Sequence, residues 1–116
     1  MGQQKLDIIS PNELLDNTMR LKNAGYRLVA ISCTFKNGIE LTYSFDESFE
    51  LLNLRLNIDA DVEIESISCI YPYAFLYENE IKELFGVNIQ NISVDFNNNL
   101  YKIAVKTPFN TKEENE

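Results

Sequence analysis

Three glutamates within one short segment are the residues most capable of chemistry in this 116-residue chain. Glu78 and Glu80 are separated by about 200° around a helix, so their carboxylates do not converge. Glu80 and Glu83 lie three positions apart, close enough for the two carboxylates to share a cation or a substrate. The favoured alternative is a solvated Glu83, with Glu78 paired to Lys82 four positions on. We therefore expect no metal site in this segment.

Other catalytic groups are scarce in the sequence. It contains no histidine, which removes Ser–His and Cys–His nucleophile pairs, imidazole zinc sites and histidine-ligated haem. Cys33 and Cys69 form no C-x-x-C motif, so this chain alone does not supply the four thiolates of an ordinary iron–sulfur cluster. Both cysteines have apolar neighbours, and we expect two buried free thiols rather than a disulfide. We expect no catalytic residue and no cofactor in this chain.

The composition fits one domain and argues against nucleic acid as a partner. The net charge is −8, from 18 acidic and 10 basic residues, whereas nucleic-acid binding relies on clustered Lys and Arg. The negative charge serves solubility or attracts basic protein surfaces. With 45% hydrophobic residues, residues 1–106 are expected to form a single domain, followed by a disordered acidic tail at 107–116. No apolar run approaches the roughly 20 residues of a transmembrane helix.

Two helices are predicted from spacing and end signals. Ser10 and Glu13 form a capping-box pattern ahead of apolar residues at helical spacing, and Gly25 is a C-terminal stop, which places the first helix at 11–24. Pro72 and Gly86 bound the second helix, at 73–85.

The second helix is amphipathic. Its apolar side chains share one face, which we expect to face the core: Tyr77, Ile81, Leu84 and Phe85. Its polar side chains share the opposite face: Glu78, Asn79, Lys82 and Glu83. Glu80 lies at the edge of the apolar stripe, where a carboxylate needs a donor from this chain or a partner. Phe75 lies away from that stripe, which indicates either a protein contact or packing against the 59–63 loop or a C-terminal hairpin.

The strands are predicted from alternation. Apolar residues alternate along 28–35, with Val29, Ile31, Cys33 and Phe35 on one side, and again along 39–45 and 52–58. An Asn-Gly turn joins the first two of these segments. The result is a three-stranded antiparallel meander with one core face, on which the first helix packs. Residues 92–96 and 100–105 predict a C-terminal hairpin around an Asn-rich turn. The fold class is α+β, with two helices and a mainly antiparallel sheet.

The segment from Tyr71 to Val87, YPYAFLYENEIKELFGV, resembles the signature of the respiratory complex I 30-kDa subunit family. The matching positions are Glu78, Glu80, Glu83, Phe85 and Gly86. The resemblance extends over residues 10–105.

Three features of the chain depart from the complex I members of that family. Asn79 replaces an Arg, and Leu76 stands where those members usually carry Trp. The G-H-P-x-L-R-R segment that follows the glycine in complex I is also absent. The sequence is more similar to the small hydrophilic subunit of energy-converting membrane-bound [NiFe] hydrogenases.

The resemblance implies a non-catalytic subunit that docks onto a catalytic large subunit and an iron–sulfur small subunit. Those partners would carry the [NiFe] centre and the iron–sulfur clusters, and would hold the chain on the cytoplasmic side of a membrane arm. The predicted partner contacts are Phe75, Glu78, Asn79, Glu80, Glu83, Phe85 and Gly86. The alternatives are a free-standing small enzyme that uses the Glu80/Glu83 pair and a soluble adaptor.

Overall fold

The computed structural model describes residues 3–97. In chain order the strands and helices are β1 (Gln3–Ile8), α1 (Leu14–Asn23), β2 (Arg27–Phe35), β3 (Ile39–Glu47), β4 (Glu50–Ile58), β5 (Glu63–Glu65), α2 (Ala74–Phe85) and β6 (Asn88–Gln90). A short 3-10 turn, Pro11–Glu13, leads into α1.

The main sheet has four strands in the order β1-β4-β3-β2. β2, β3 and β4 form the predicted antiparallel meander. β1 was not predicted; it pairs with β4 in parallel. β5 and β6 form a second, two-stranded parallel sheet. The predicted α+β class, with two helices and a mostly antiparallel sheet, is confirmed.

One face of the main sheet carries the core. The alternating side chains predicted to point inward on β3 and β4 are all buried: Ile39, Leu41, Tyr43, Phe45, Leu52, Leu54, Leu56 and Ile58. The prediction for β2 was only partly right, because Ile31 is buried whereas Val29 and Phe35 are exposed. β2 is an edge strand, and its register with β3 shifts between Leu28 and Ala30. Such a bulge breaks the strict alternation of inward and outward side chains.

The first helix was predicted at 11–24; helical structure begins at Pro11 with the 3-10 turn, continues as α1 from Leu14 and ends at Asn23. The Ser10 backbone N–H donates to Glu13 Oε1 at 2.9 Å, as a capping box requires. Leu14 and Leu21 are buried against the core. Gly25 follows the helix with φ +91°, a conformation that side chains other than glycine rarely adopt.

The C-terminal elements agree with the prediction only as far as the second helix. α2 ends at Gly86, which is left-handed with φ 71°, as predicted. Residues 92–96, the predicted first strand of the C-terminal hairpin, form no strand; the strand in this region is β6. The predicted second strand at 100–105 and the predicted tail at 107–116 lie outside the described residues.

The cysteine prediction was wrong in part. Cys69 is exposed, and Cys33 is half-buried. Cys69 lies in the turn after Ser68, where its side chain points away from the core that Ile67 and Ile70 enter. Burial raises the pKa of the Cys33 thiol to about 11. Within residues 3–97, no helix is long and apolar enough to cross a bilayer.

Candidate functional site

The predicted facing of α2 was wrong for its polar side chains. Glu78 and Asn79, predicted on the outer face, are 0% and 2% exposed. Leu84 and Phe85, predicted to face the core, are exposed, whereas Ile81 is buried as expected. The buried side of α2 is therefore rotated about the helix axis, away from the side that the apolar stripe predicted. The reason lies in the hydrogen bonds that the two polar side chains make.

Glu78 is anchored to the segment between β5 and α2. The Ser66 hydroxyl donates to Glu78 Oε1 at 2.6 Å, and the Ile67 backbone N–H donates to Oε2 at 2.8 Å. A buried carboxylate is tolerated only where such donors satisfy it. The predicted ion pair between Glu78 and Lys82 does not form, because Glu78 points into the interior.

A chain of hydroxyl groups extends this anchor towards the C-terminal segment. Ser66 Oγ and Ser68 Oγ lie 2.7 Å apart, and the Ser68 backbone N–H donates to Ser66 Oγ at 3.0 Å. The Ser93 backbone N–H donates to Ser68 Oγ at 2.8 Å. When Glu78 is ionised, Ser66 donates to it and Ser68 donates to Ser66, so every hydroxyl in the chain has an acceptor. The network joins three segments that are distant in sequence.

Opposing influences act on the Glu78 carboxyl. Burial raises its pKa above the ordinary value, while the hydrogen bonds from Ser66 and Ile67 act to lower it. Burial raises the pKa of the Tyr43 hydroxyl on β3, and the Glu78 charge adds to that rise. Within the described residues, the buried Tyr43 hydroxyl has no hydrogen-bond partner.

Asn79 anchors the chain that follows β6. Its amide nitrogen donates to the Val94 carbonyl at 2.7 Å and to the Phe75 carbonyl at 2.8 Å. Its amide oxygen accepts from the Phe96 backbone N–H at 2.9 Å. One side chain thus satisfies three backbone groups and fixes residues 94–96 along one flank of α2.

Two further contacts hold the same flank. The rings of Phe75 and Phe96 meet edge to face with their centroids 6.1 Å apart. This confirms the alternative that packs Phe75 within the chain, against the region predicted to be a hairpin. Lys82 Nζ pairs with Asp95 Oδ2 at 2.7 Å.

The opposite side of α2 faces outward. Its exposed apolar side chains are Tyr73, 79% exposed, Leu76, 47%, and Leu84, 56%. Glu80 is exposed among them, at the centre of the face. We call Tyr73, Leu76, Glu80 and Leu84 the outer face of α2. The expectation that Glu80 lies at the edge of a core stripe rather than in the open was wrong, because Glu80 is exposed and Leu84, next to it on the stripe, is exposed as well.

The remaining predicted contact residues lie around the end of the same helix. Glu83 is half-buried, Phe85 is 40% exposed, and Gly86 is exposed. The structure leaves these residues and Glu80 at least partly accessible. It places Glu78 and Asn79 in the interior, where they position the helix rather than meet another protein.

Two cavities of the described residues lie away from the Glu80/Glu83 pair. One of about 330 Å³ lies between the end of α1, the start of β2 and the loop before α2, and another of about 260 Å³ lies beside β5. Neither is lined by Glu80 or Glu83. Among residues 3–97, no group of three His, Cys, Asp or Glu side chains is arranged to hold a metal ion.

Sequence reasoning missed the serines that anchor Glu78. Ser66 and Ser68 alternate with buried isoleucines in the segment Ile64-Glu-Ser-Ile-Ser. Small hydroxyl residues between core positions are the available signal, because they can satisfy a buried acid without adding bulk. The partner acid, however, lies 12 residues further along the chain.

These features define a small α+β domain whose polar signature residues fix one helix and leave its outer face accessible. The chain matches the profile of the family described as "Respiratory-chain NADH dehydrogenase, 30 Kd subunit" over residues 8–110. The chain belongs to that family. It is therefore of the type that forms one subunit of an oxidoreductase complex and associates with other subunits.

The fold is also similar to a solved structure, "Nqo5 of the trypsin-resistant fragment (1-134) in P63 form". The TM-score is 0.68 at 13% sequence identity, over 75% of this chain and 79% of that one. At this level of identity the likeness concerns the fold. No curated protein sequence matches the chain.

Proposed function

We propose that this chain is a non-catalytic structural subunit of an energy-converting membrane-bound [NiFe] hydrogenase or a close complex I-like oxidoreductase. In this role it docks onto a catalytic large subunit and an iron–sulfur small subunit, which carry the [NiFe] centre and the iron–sulfur clusters. Through these partners it lies on the cytoplasmic side of the membrane, at the periphery of the complex.

The outer face of α2 carries this proposal. Three large apolar side chains are exposed along one side of a helix, and exposed apolar patches of this kind mark protein contacts. The inner side of the same helix is pinned by Glu78 and Asn79, so the face is presented by a helix of fixed orientation. Pre-ordering of this kind lowers the entropic cost of association.

The departures from the complex I pattern favour the hydrogenase branch. The residues at two of these departures are in contact with each other. Asn79 replaces the Arg of complex I members, and the segment after Gly86 replaces G-H-P-x-L-R-R. In this chain Asn79 holds that replaced segment through Val94 and Phe96. An Arg at the same buried position would place a charge where a short amide satisfies three backbone groups. The two changes are therefore physically linked.

The free-standing enzyme remains the weaker candidate. It requires one closed cavity that holds both Glu80 and Glu83, and neither cavity described above is lined by them. A broad helix face with exposed apolar side chains fits a subunit better than a catalytic site.

The proposal is tested by affinity purification of the native protein from detergent-solubilised membranes. We expect recovery of a large subunit with paired C-x-x-C motifs, a small iron–sulfur subunit and integral membrane proteins. Recovery of the chain alone, from the soluble fraction, would contradict the proposal.

Variants locate the contact. Leu76→Gln, Leu84→Gln and Glu80→Ala are each expected to lower the recovery of partners far more than they alter the isolated fold, because all three side chains are exposed. Met19→Gln is the matched control, since Met19 lies on α1 and is 47% exposed, as Leu76 is. Equal losses for Leu76→Gln and Met19→Gln would show that the outer face of α2 is not the contact.

A further inference from the structure

A cavity of about 330 Å³ opens at the N-terminal end of the outer face of α2, with which it shares Tyr73. It lies where the last turn of α1, the first residues of β2 and the loop before α2 meet. Its lining residues are Lys22, Tyr26, Arg27, Leu28, Tyr71, Pro72, Tyr73 and Tyr77. Four tyrosines around one cavity are unusual in a chain that has six in all.

Three of the tyrosines are fixed by hydrogen bonds to other parts of the chain. The Tyr71 hydroxyl donates to the Tyr26 carbonyl at 2.7 Å, and the Tyr77 hydroxyl donates to the Val29 carbonyl at 3.0 Å. The Tyr26 hydroxyl donates to the Glu50 carboxylate. Since these three hydroxyls already donate hydrogen bonds within the chain, a ligand in the cavity would contact the tyrosine rings rather than their hydroxyl groups. Aromatic rings favour edge-to-face or offset contact with another ring.

The charged residues that line the cavity are both cations, although the chain has a net charge of −8. The Arg27 guanidinium is occupied by Asp46, with two hydrogen bonds of 3.0 Å. Lys22 Nζ lies 5.0 Å from the centroid of the Tyr71 ring, and it makes no ion pair within residues 3–97. Its charge is thus the one available to an anionic group entering the cavity.

We propose that this cavity binds an acidic peptide segment of a partner protein, with an aromatic side chain between the tyrosines and a neighbouring carboxylate at Lys22. The proposal rests on the proposed function only in taking the ligand to be a protein. The cavity borders Arg27 and Leu28, which begin the edge strand β2, and Tyr73, which belongs to the outer face of α2. An extended segment leaving the cavity therefore meets, on one side, the edge strand β2, which among the described residues pairs only with β3, and on the other side the proposed contact face.

The test uses the full 116-residue chain and three capped tripeptides, Glu-Trp-Glu, Gln-Trp-Gln and Lys-Trp-Lys. The chain contains no tryptophan, so tryptophan fluorescence reports the peptide alone, and amide chemical shifts locate its binding. We expect Glu-Trp-Glu to bind roughly two- to fivefold more tightly than Gln-Trp-Gln at low salt, as an exposed ion pair allows. Lys-Trp-Lys should bind most weakly, and the shifts should centre on Leu28, Tyr71 and Tyr73.

Three variants separate the roles of charge and rings. Lys22→Gln should abolish the preference for the acidic peptide while keeping the affinity for Gln-Trp-Gln. Tyr73→Ala should weaken binding of all three peptides. Lys36→Gln makes the same charge change at an exposed lysine in the turn after β2 and should change nothing.

Equal affinities for the three peptides, shifts away from the cavity, or equal effects of Lys22→Gln and Lys36→Gln would overturn the proposal. These outcomes are independent of the purification experiment, because they concern the isolated chain. A chain that copurifies with hydrogenase subunits but does not distinguish the peptides would retain the proposed function and lose this inference.

Discussion

The inner face of the main sheet and the inner side of α2 enclose the same core, but different forces hold them there. The sheet contributes side chains such as Leu41 and Leu54, which are apolar and fully buried. The helix contributes Glu78 and Asn79, which are buried just as deeply but are held by directional hydrogen bonds. Hydrophobic burial stabilises any arrangement that removes apolar area from water, because it is non-directional. These hydrogen bonds stabilise only one orientation of the helix, because their distances and angles are restricted.

This difference explains why α2 leaves large apolar side chains in solvent. Turning the helix to bury Leu84 would move Glu78 away from Ser66 and Ile67 and leave a carboxylate without donors in the interior. That loss costs more than the burial of one leucine returns, since an unsatisfied buried charge is among the most expensive defects of a fold. The polar anchors thus keep the outer face of α2 outward.

The largest expected effect tests the apolar side of the comparison. Leu54→Ala should lower the free energy of unfolding by about 2–5 kcal/mol, because it removes a fully buried side chain from the centre of the sheet and leaves a cavity. Urea denaturation followed by circular dichroism measures the change.

Leu6→Ala is the control for that measurement. Leu6 lies on the edge strand β1 and is 48% exposed, so the same truncation should cost less than about 0.5 kcal/mol. If the two truncations have equal effects, the inner face of the sheet is not the main source of stability.

A smaller effect is expected at the polar anchor of α2. Asn79→Ala should lower the free energy of unfolding by about 1–3 kcal/mol, because it leaves the Val94 carbonyl and the Phe96 N–H without their partner. Hydrogen exchange of the Phe96 amide should accelerate as residues 94–96 detach from the helix. Urea denaturation and exchange measured by nuclear magnetic resonance give the two readouts.

The control is an exposed amide with a similar bond. The Asn17 side chain donates to the Glu13 carbonyl at 2.8 Å on the surface of α1, and Asn17→Ala should change stability by less than about 0.5 kcal/mol. Unchanged exchange at Phe96 in Asn79→Ala would show that residues 94–96 are held by the Phe75–Phe96 contact instead.

The same comparison shows where prediction from the sequence succeeds. Alternation located β3 and β4 and their buried side chains because hydrophobic burial leaves a local pattern of period two. The helix ends at Gly25 and Gly86 were predicted because a left-handed residue has a local chemical signal. β1 left no such signal, since its pairing with β4 joins residues 47 positions apart, Gln3 with Glu50.

The site was harder to predict for a related reason. The resemblance directed attention to α2, but hydrophobic periodicity classed Glu78 and Asn79 as solvent-facing, whereas both are buried. The sequence of the helix does not indicate that Ser66 and Ile67, 11–12 residues earlier in the chain, donate hydrogen bonds to the Glu78 carboxylate. Burial by hydrogen bonding depends on tertiary partners, and its pattern therefore cannot be read from one segment.

The smallest expected effect measures how far burial is offset by the hydrogen bonds at Glu78. Burial raises the pKa of this carboxyl in the folded protein above its ordinary value of 4.5. Between these two pKa values the folded chain retains a proton that the unfolded chain has released, so this group makes stability fall as pH rises. Above the raised pKa its contribution is constant.

Glu78→Gln keeps the shape and cannot titrate, so the difference in free energy of unfolding between the wild type and this variant should be greatest below pH 4.5 and shrink as pH rises. Urea denaturation of both proteins across that range gives the difference. If the difference instead grew with pH, the hydrogen bonds from Ser66 and Ile67 would outweigh burial, and the interior side of α2 would stabilise the charged form of Glu78.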